Sequence, residues 1–174
     1  MKNIRLFLLL IVFIFGSANA EVVIDVKVEN NKRVSRESII AFGNIKLGTD
    51  YNEKEINEIL IDLYNTNFFS DIKLNVVNGI LIVNVKEKKI IQSITLEGIK
   101  SKENTSKILK VLKLKDKSPF DKFSAEEDIT KIKNSLNRSG YYFAKVDVKI
   151  RENKNDTVDL IYKIDTGEKA LIKN

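Results

Sequence analysis

The chain of 174 residues carries a net charge of +6, from 30 Lys and Arg against 24 Asp and Glu, and has neither Cys nor His. Those two absences remove the common zinc sites, Ser-His-Asp and Cys-His catalysis and disulfide staples; the chain is read as a non-enzyme with no metal and no cofactor, stabilised by packed cores. A hydrophobic content of 43% with a single Pro indicates a folded chain, and Lys interspersed with Glu, without a dense basic run, argues against nucleic-acid binding.

The first 20 residues have the order of a secretory signal peptide. Lys2 and Arg5 supply charge, Leu6 to Phe15 is unbroken and apolar, Gly16 and Ser17 interrupt it, and Ala18-Asn19-Ala20 offers small residues for cleavage. The apolar run is about half the roughly twenty residues that span a bilayer. Cleavage after Ala20 and export are therefore expected. No Cys follows, so a lipid anchor at that point is excluded.

From Glu21 onward one pattern occurs twice. Val22, Ile24, Val26 and Val28 alternate with Val23, Asp25, Lys27 and Glu29, which predicts a half-buried strand with the first four inward. Ser35 is placed to cap a short helix whose apolar side is Ile39, Ile40 and Phe42, with Gly43 ending it. Asn52 and Glu55 resemble a capping box, and Ile56, Ile59, Leu60, Leu63 and Tyr64 behind it form an amphipathic stripe. Ile72, Leu74 and Val76, a turn at Asn78-Gly79, and Leu81, Val83 and Val85 predict a hairpin.

The second round opens with Ile90, Ile94 and Leu96 on one strand face. A short helix after Ser101 carries Ile108, Leu109 and Leu112. Ser124 and Glu127 predict a capping box ahead of Ile129, Ile132 and Leu136. Val146, Val148 and Ile150, a looser turn from Glu152 to Asp156, and Val158, Leu160, Tyr162 and Ile164 close it as a second hairpin. The predicted fold class is α+β: two tandem β-α-α-β-β domains over 21–88 and 89–166. Residues 167–174 are a tail or the start of a third crossing.

The helix-to-hairpin junctions carry a resemblance. Leu63, Tyr64, Thr66, Phe69 and Asp71 in LYNTNFFSDI match the POTRA pattern L-Y-x-T-G-x-F-x-D-V, with Ile72 conservative and Asn67 standing where Gly is usual. Asn tolerates the left-handed backbone of such a helix exit, so the departure is mild. Leu136, Gly140, Tyr141, Ala144 and Val146 match the variant of later repeats. The chain thus resembles the POTRA-domain family, and within it the outer-membrane assembly factors of the BamA family, over nearly all of the exported part.

That resemblance implies, for each domain, a three-stranded mixed sheet covered by two helices. It implies a periplasmic arm attached to the outer membrane through a C-terminal barrel that this sequence lacks, and hence a piece of a longer protein. It implies as partners unfolded outer-membrane β-barrel proteins, assembly lipoproteins and a periplasmic chaperone. It also implies docking edges in the first strand of each closing hairpin: Asp71, Ile72, Lys73, Leu74, Asn75 and Val76, and Lys145, Val146, Asp147, Val148, Lys149 and Ile150. Charges on such edges equally serve to block pairing. The arm of a TamA-type or two-partner secretion transporter, or a free-standing periplasmic scaffold, remains the alternative.

Overall fold

The structure, a computed structural model, describes residues 22–170; the expected signal peptide and the last four residues lie outside them. Contacts divide the chain into two compact units, one taking the chain up to Leu63 with Ile72–Asn84, the other Tyr64–Asp71 with everything from Val85.

In chain order the first round comprises β1 (Val22–Val23), β2 (Asp25–Glu29), α1 (Arg36–Phe42), β3 (Thr49–Asp50), α2 (Glu53–Asn65), β4 (Phe69–Val77) and β5 (Ile80–Glu87). Its main sheet has the order β2-β5-β4, with β2 parallel to β5 from Asp25 opposite Ile80 to Glu29 opposite Asn84. The local chemistry explains the helices. Ser35 accepts the Ser38 N–H at 3.1 Å; Glu55 accepts the Asn52 N–H at 2.9 Å and Asn52 the Glu55 N–H at 3.1 Å, two orphan donors satisfied reciprocally. On α2, Ile59 and Leu63 are buried, Ile56 and Leu60 half-buried, and Tyr64 exposed.

The single inward face expected for Val22, Ile24, Val26 and Val28 does not form. Val23 is fully buried and Ile24 is 66% exposed, whereas Val26 is buried. The chain breaks at Ile24, whose N–H donates to the Gly79 carbonyl at 2.7 Å. Ahead of that break β1 pairs antiparallel with β3 instead of joining the main sheet, so the side-chain phase slips by one residue. Phe42, expected in the core, is 39% exposed. Gly43 has an ordinary φ of −81°, and the left-handed residue at this helix exit is Asn44. Gly43 serves close packing: a Cβ there would lie 3.1 Å from side-chain atoms of Ile45 and Ile59.

The second round comprises β6 (Ile90–Glu97), α3 (Lys102–Val111), α4 (Lys122–Arg138), β7 (Lys145–Glu152) and β8 (Thr157–Asp165). The sheet order is β6-β8-β7, with β6 parallel and β7 antiparallel to β8. The core joins Ile108 of α3, Ile132 and Leu136 of α4, Ile91 of β6, and Val158, Leu160 and Tyr162 of β8. Ile91 takes the buried place expected of Ile90, because an irregularity between Ile91 and Ser93 shifts the register; beyond it Ile94 and Leu96 face the core as expected. Leu109, expected on the apolar side of α3, is 41% exposed.

Ser124 and Glu127 do not form the capping box. α4 starts at Lys122 because Asp121 accepts both the Ser124 N–H, at 2.8 Å, and its hydroxyl, at 2.7 Å. Ser124 is thereby buried inside the first turn, and Glu127 pairs with Lys113 at 2.8 Å.

Both junctions use a left-handed residue to leave the long helix: Asn67 at φ 64° and Gly140 at φ 91°. Asn67 also accepts from the Lys88 ammonium at 2.6 Å, a contact Gly could not make. The Asn78-Gly79 turn has φ 51° and 74°, the double positive value of a type I′ two-residue hairpin.

Candidate functional site

Both predicted docking segments lie on edge strands. Among the described residues β4 has only β5 as a sheet neighbour and β7 only β8, so each presents one side of its backbone outward. Along β4, Asp71, Lys73 and Asn75 are exposed, Leu74 and Val76 half-buried, and Ile72 buried. Along β7, Lys145, Asp147 and Lys149 are exposed while Val146, Val148 and Ile150 are half-buried against the core. The two segments belong to separate sheets.

The edges differ in detail. On β7 the Asp147 carboxylate accepts the neighbouring Val148 N–H at 2.9 Å, so a strand needing that donor must displace the side chain. A cavity of about 350 Å³ opens at the start of β7, lined by Lys145, Val146 and Asp147 and by Gly98 and Ile164. Gly98 is obligatory there: at φ 93°, an added Cβ would stand 1.8 Å from the Ile164 carbonyl oxygen.

The far end of β7 is braced by a network that the alternation pattern did not reveal. Asp159 sits on β8 between inward-facing Val158 and Leu160, yet its side chain is only 7% exposed. Ser93 of β6 donates to its Oδ1 at 2.6 Å; Arg151 and Asn153 donate to Oδ2 at 2.9 and 3.1 Å. Three strands are thus tied at one carboxylate. Arg151 stands opposite Asp159 in the β7–β8 register, and that cross-strand pairing was the available signal.

The Ser93 hydroxyl first, then Arg151 and Asn153, hold the Asp159 carboxyl down from 3.8 to about 2. A folded-state pKa below the unfolded one contributes stability that is present above about pH 4 and lost as pH falls through about 2. Thermal melts in that window should show wild type losing stability on acidification and Asp159→Asn, weaker at neutral pH, losing less. Parallel acid profiles would remove the network's electrostatic role.

The fold and its paired edges define a class. Residues 89–167 match the family model described as POTRA, surface antigen variable number repeat, and that segment is a POTRA domain. Among curated relatives it is similar to the outer membrane protein assembly factor BamA of Neisseria meningitidis serogroup B (strain ATCC BAA-335 / MC58), 26% identical over 150 residues, covering 85% of this chain and 19% of that protein. It is also similar to BamA of Neorickettsia risticii (strain Illinois), 24% identical over 163 residues, covering 94% of this chain and 22% of that protein. The chain therefore spans about a fifth of the length of these relatives. The N-terminal domain of Omp85 from Thermosynechococcus elongatus shares the fold, with a TM-score of 0.53 at 14% identity over 81% of this chain and 61% of that one.

Proposed function

We propose that this chain is the periplasmic POTRA region of an outer-membrane protein assembly factor, with domains at 21–88 and 89–166, and that it docks unfolded β-barrel proteins by strand addition. The placement of both closing-hairpin strands at sheet edges carries the reading. A barrel strand must have every backbone group paired before it meets lipid, and an open edge offers main-chain hydrogen bonds with little demand on side-chain sequence. The half-buried Leu74, Val76, Val146, Val148 and Ile150 supply the apolar flank of such a dock. Assembly lipoproteins and a periplasmic chaperone are the accompanying partners, and the protein acts without catalysis. Similarity to BamA over most of the chain supports the assignment.

The test is a photo-crosslinking residue at Lys73 or Asp147, with the exposed Lys54 of α2 as control. Capture of nascent barrel proteins from the edges and not from the control is expected. Equal yields at all three positions, or none, would discard strand addition. Fractionation with an antibody against residues 21–165 addresses the outer-membrane attachment: a band far above 19.9 kDa in that fraction is expected, and a small soluble periplasmic band would withdraw it.

A further inference from the structure

A cavity of about 780 Å³ belongs to neither edge. One stripe of α3 forms its floor: Lys102, Thr105, Ser106, Leu109 and Lys110 fall at i, i+3, i+4, i+7 and i+8. Ile99 and Lys100 wall it before the helix, and Lys115 closes it beyond. Leu109, the residue that the apolar pattern assigned to the core, is the exposed apolar part of this floor.

The charge is one-sided. Four lysines line the cavity and no carboxylate does. Lys115 donates to the Leu109 and Lys110 carbonyls at 2.7 and 3.3 Å, which fixes its ammonium at the end of α3. Lys100, Lys102 and Lys110 have no ion pair among the described residues, whereas Lys107, elsewhere on α3, is paired with Glu103. An abundance of lysine in the chain does not account for this segregation. The smaller cavity beside α2, about 190 Å³, is lined by Glu55, Glu58 and Asp62 with Lys46 as its one lysine.

We propose that this groove binds an acidic peptide segment of a partner protein, its carboxylates on Lys100, Lys102 and Lys110 and one apolar side chain set between Ile99 and Leu109. Charge complementarity selects the partner and orients it, and the apolar floor inside a concave site favours an inserted side chain over a flat lipid surface. The site is independent of strand addition at β4 and β7.

The probe is a short fluorescent peptide with Glu residues flanking a single Leu, titrated against the full chain by anisotropy. A Lys-for-Glu peptide and phosphatidylglycerol vesicles serve as controls. Saturable, salt-sensitive binding of the acidic peptide is expected, weakened at least about tenfold in the Lys100→Gln/Lys110→Gln variant and also in Leu109→Ala. All three positions are exposed, and circular dichroism will establish that the variants remain folded. Absence of binding, affinity unchanged by the variants, or binding to vesicles without binding to the peptide would each overturn the proposal.

Discussion

Replacing Leu136 with Ala is expected to lower the unfolding free energy by about 2–5 kcal/mol, the range for truncating a buried leucine. The side chain is 1% exposed and belongs to a cluster that includes Ile132 on its own helix, Ile108 on α3, and Val158, Leu160 and Tyr162 on β8. A cavity at this position is bordered by two helices and a sheet. All three are held by their own backbone hydrogen bonds, so the surroundings can collapse only in part. Small domains have total stabilities of about 5–15 kcal/mol, and a loss of this size removes a large share of it. Urea denaturation checks the expectation, with Leu136→Met as the volume-conserving control expected to cost under about 1.5 kcal/mol. Leu63→Ala should behave alike, since Leu63 is fully buried at the corresponding place on α2. An unshifted midpoint would mean that the helix faces are wrongly assigned.

Leu63 and Leu136 were legible because long amphipathic stripes and closing hairpins declare their period over many residues. Val158, Leu160, Tyr162 and Ile164 alternate through a whole strand, and all four are buried. The opening strands misled for a shared physical reason. Each contains an irregularity, at Ile24 and between Ile91 and Ser93, and period-two reasoning fails whenever one residue is added to the count. The short helices were legible at their caps and not around their circumference. Phe42 and Leu109 look like core residues by type, but a helix of two or three turns buries only a narrow face, here centred on Ile39 and on Ile108.

The proposed docking segments stand differently. That Asp71–Val76 and Lys145–Ile150 form strands followed from alternation; that they lie at edges follows from the parallel return of β5 beside β2 and of β8 beside β6. No local pattern encodes that pairing. It is a long-range choice, in which the last strand of each unit takes the centre and leaves the first strand of the hairpin outside. The Asp159 network was hidden for the same reason, since it joins Ser93 to Arg151, Asn153 and Asp159 across more than fifty residues of sequence.

A buried carboxylate supplies the second large effect: Asp128→Ala should destabilise the protein by several kcal/mol without leaving a large apolar void. Asp128 lies on α4 with no exposure, and its two oxygens accept the backbone N–H groups of Lys113, at 2.6 Å, and Leu114, at 3.0 Å. Those amides begin the loop that returns from α3 to α4 and carries buried Leu112 and Leu114. Removing the carboxylate orphans both donors, at about 1–3 kcal/mol for each buried group left unpaired. Lys131, 3.4 Å away and partly exposed, can turn to solvent. The hydroxyl of Tyr162 is fully buried in the same region, and burial, together with the negative charge of Asp128, pushes its pKa well above the ordinary phenol value. Asp128→Asn should fall between wild type and Ala, because its amide keeps one acceptor oxygen but presents N–H to the second donor. Hydrogen exchange separates this mechanism from simple loosening of the core. The Lys113 and Leu114 amides should exchange much faster in Asp128→Ala than its global stability predicts, whereas in Leu136→Ala they should follow the global change. If both amides stay protected in Asp128→Ala, the loop is held by the packing of Leu112 and Leu114, and the carboxylate is not its anchor.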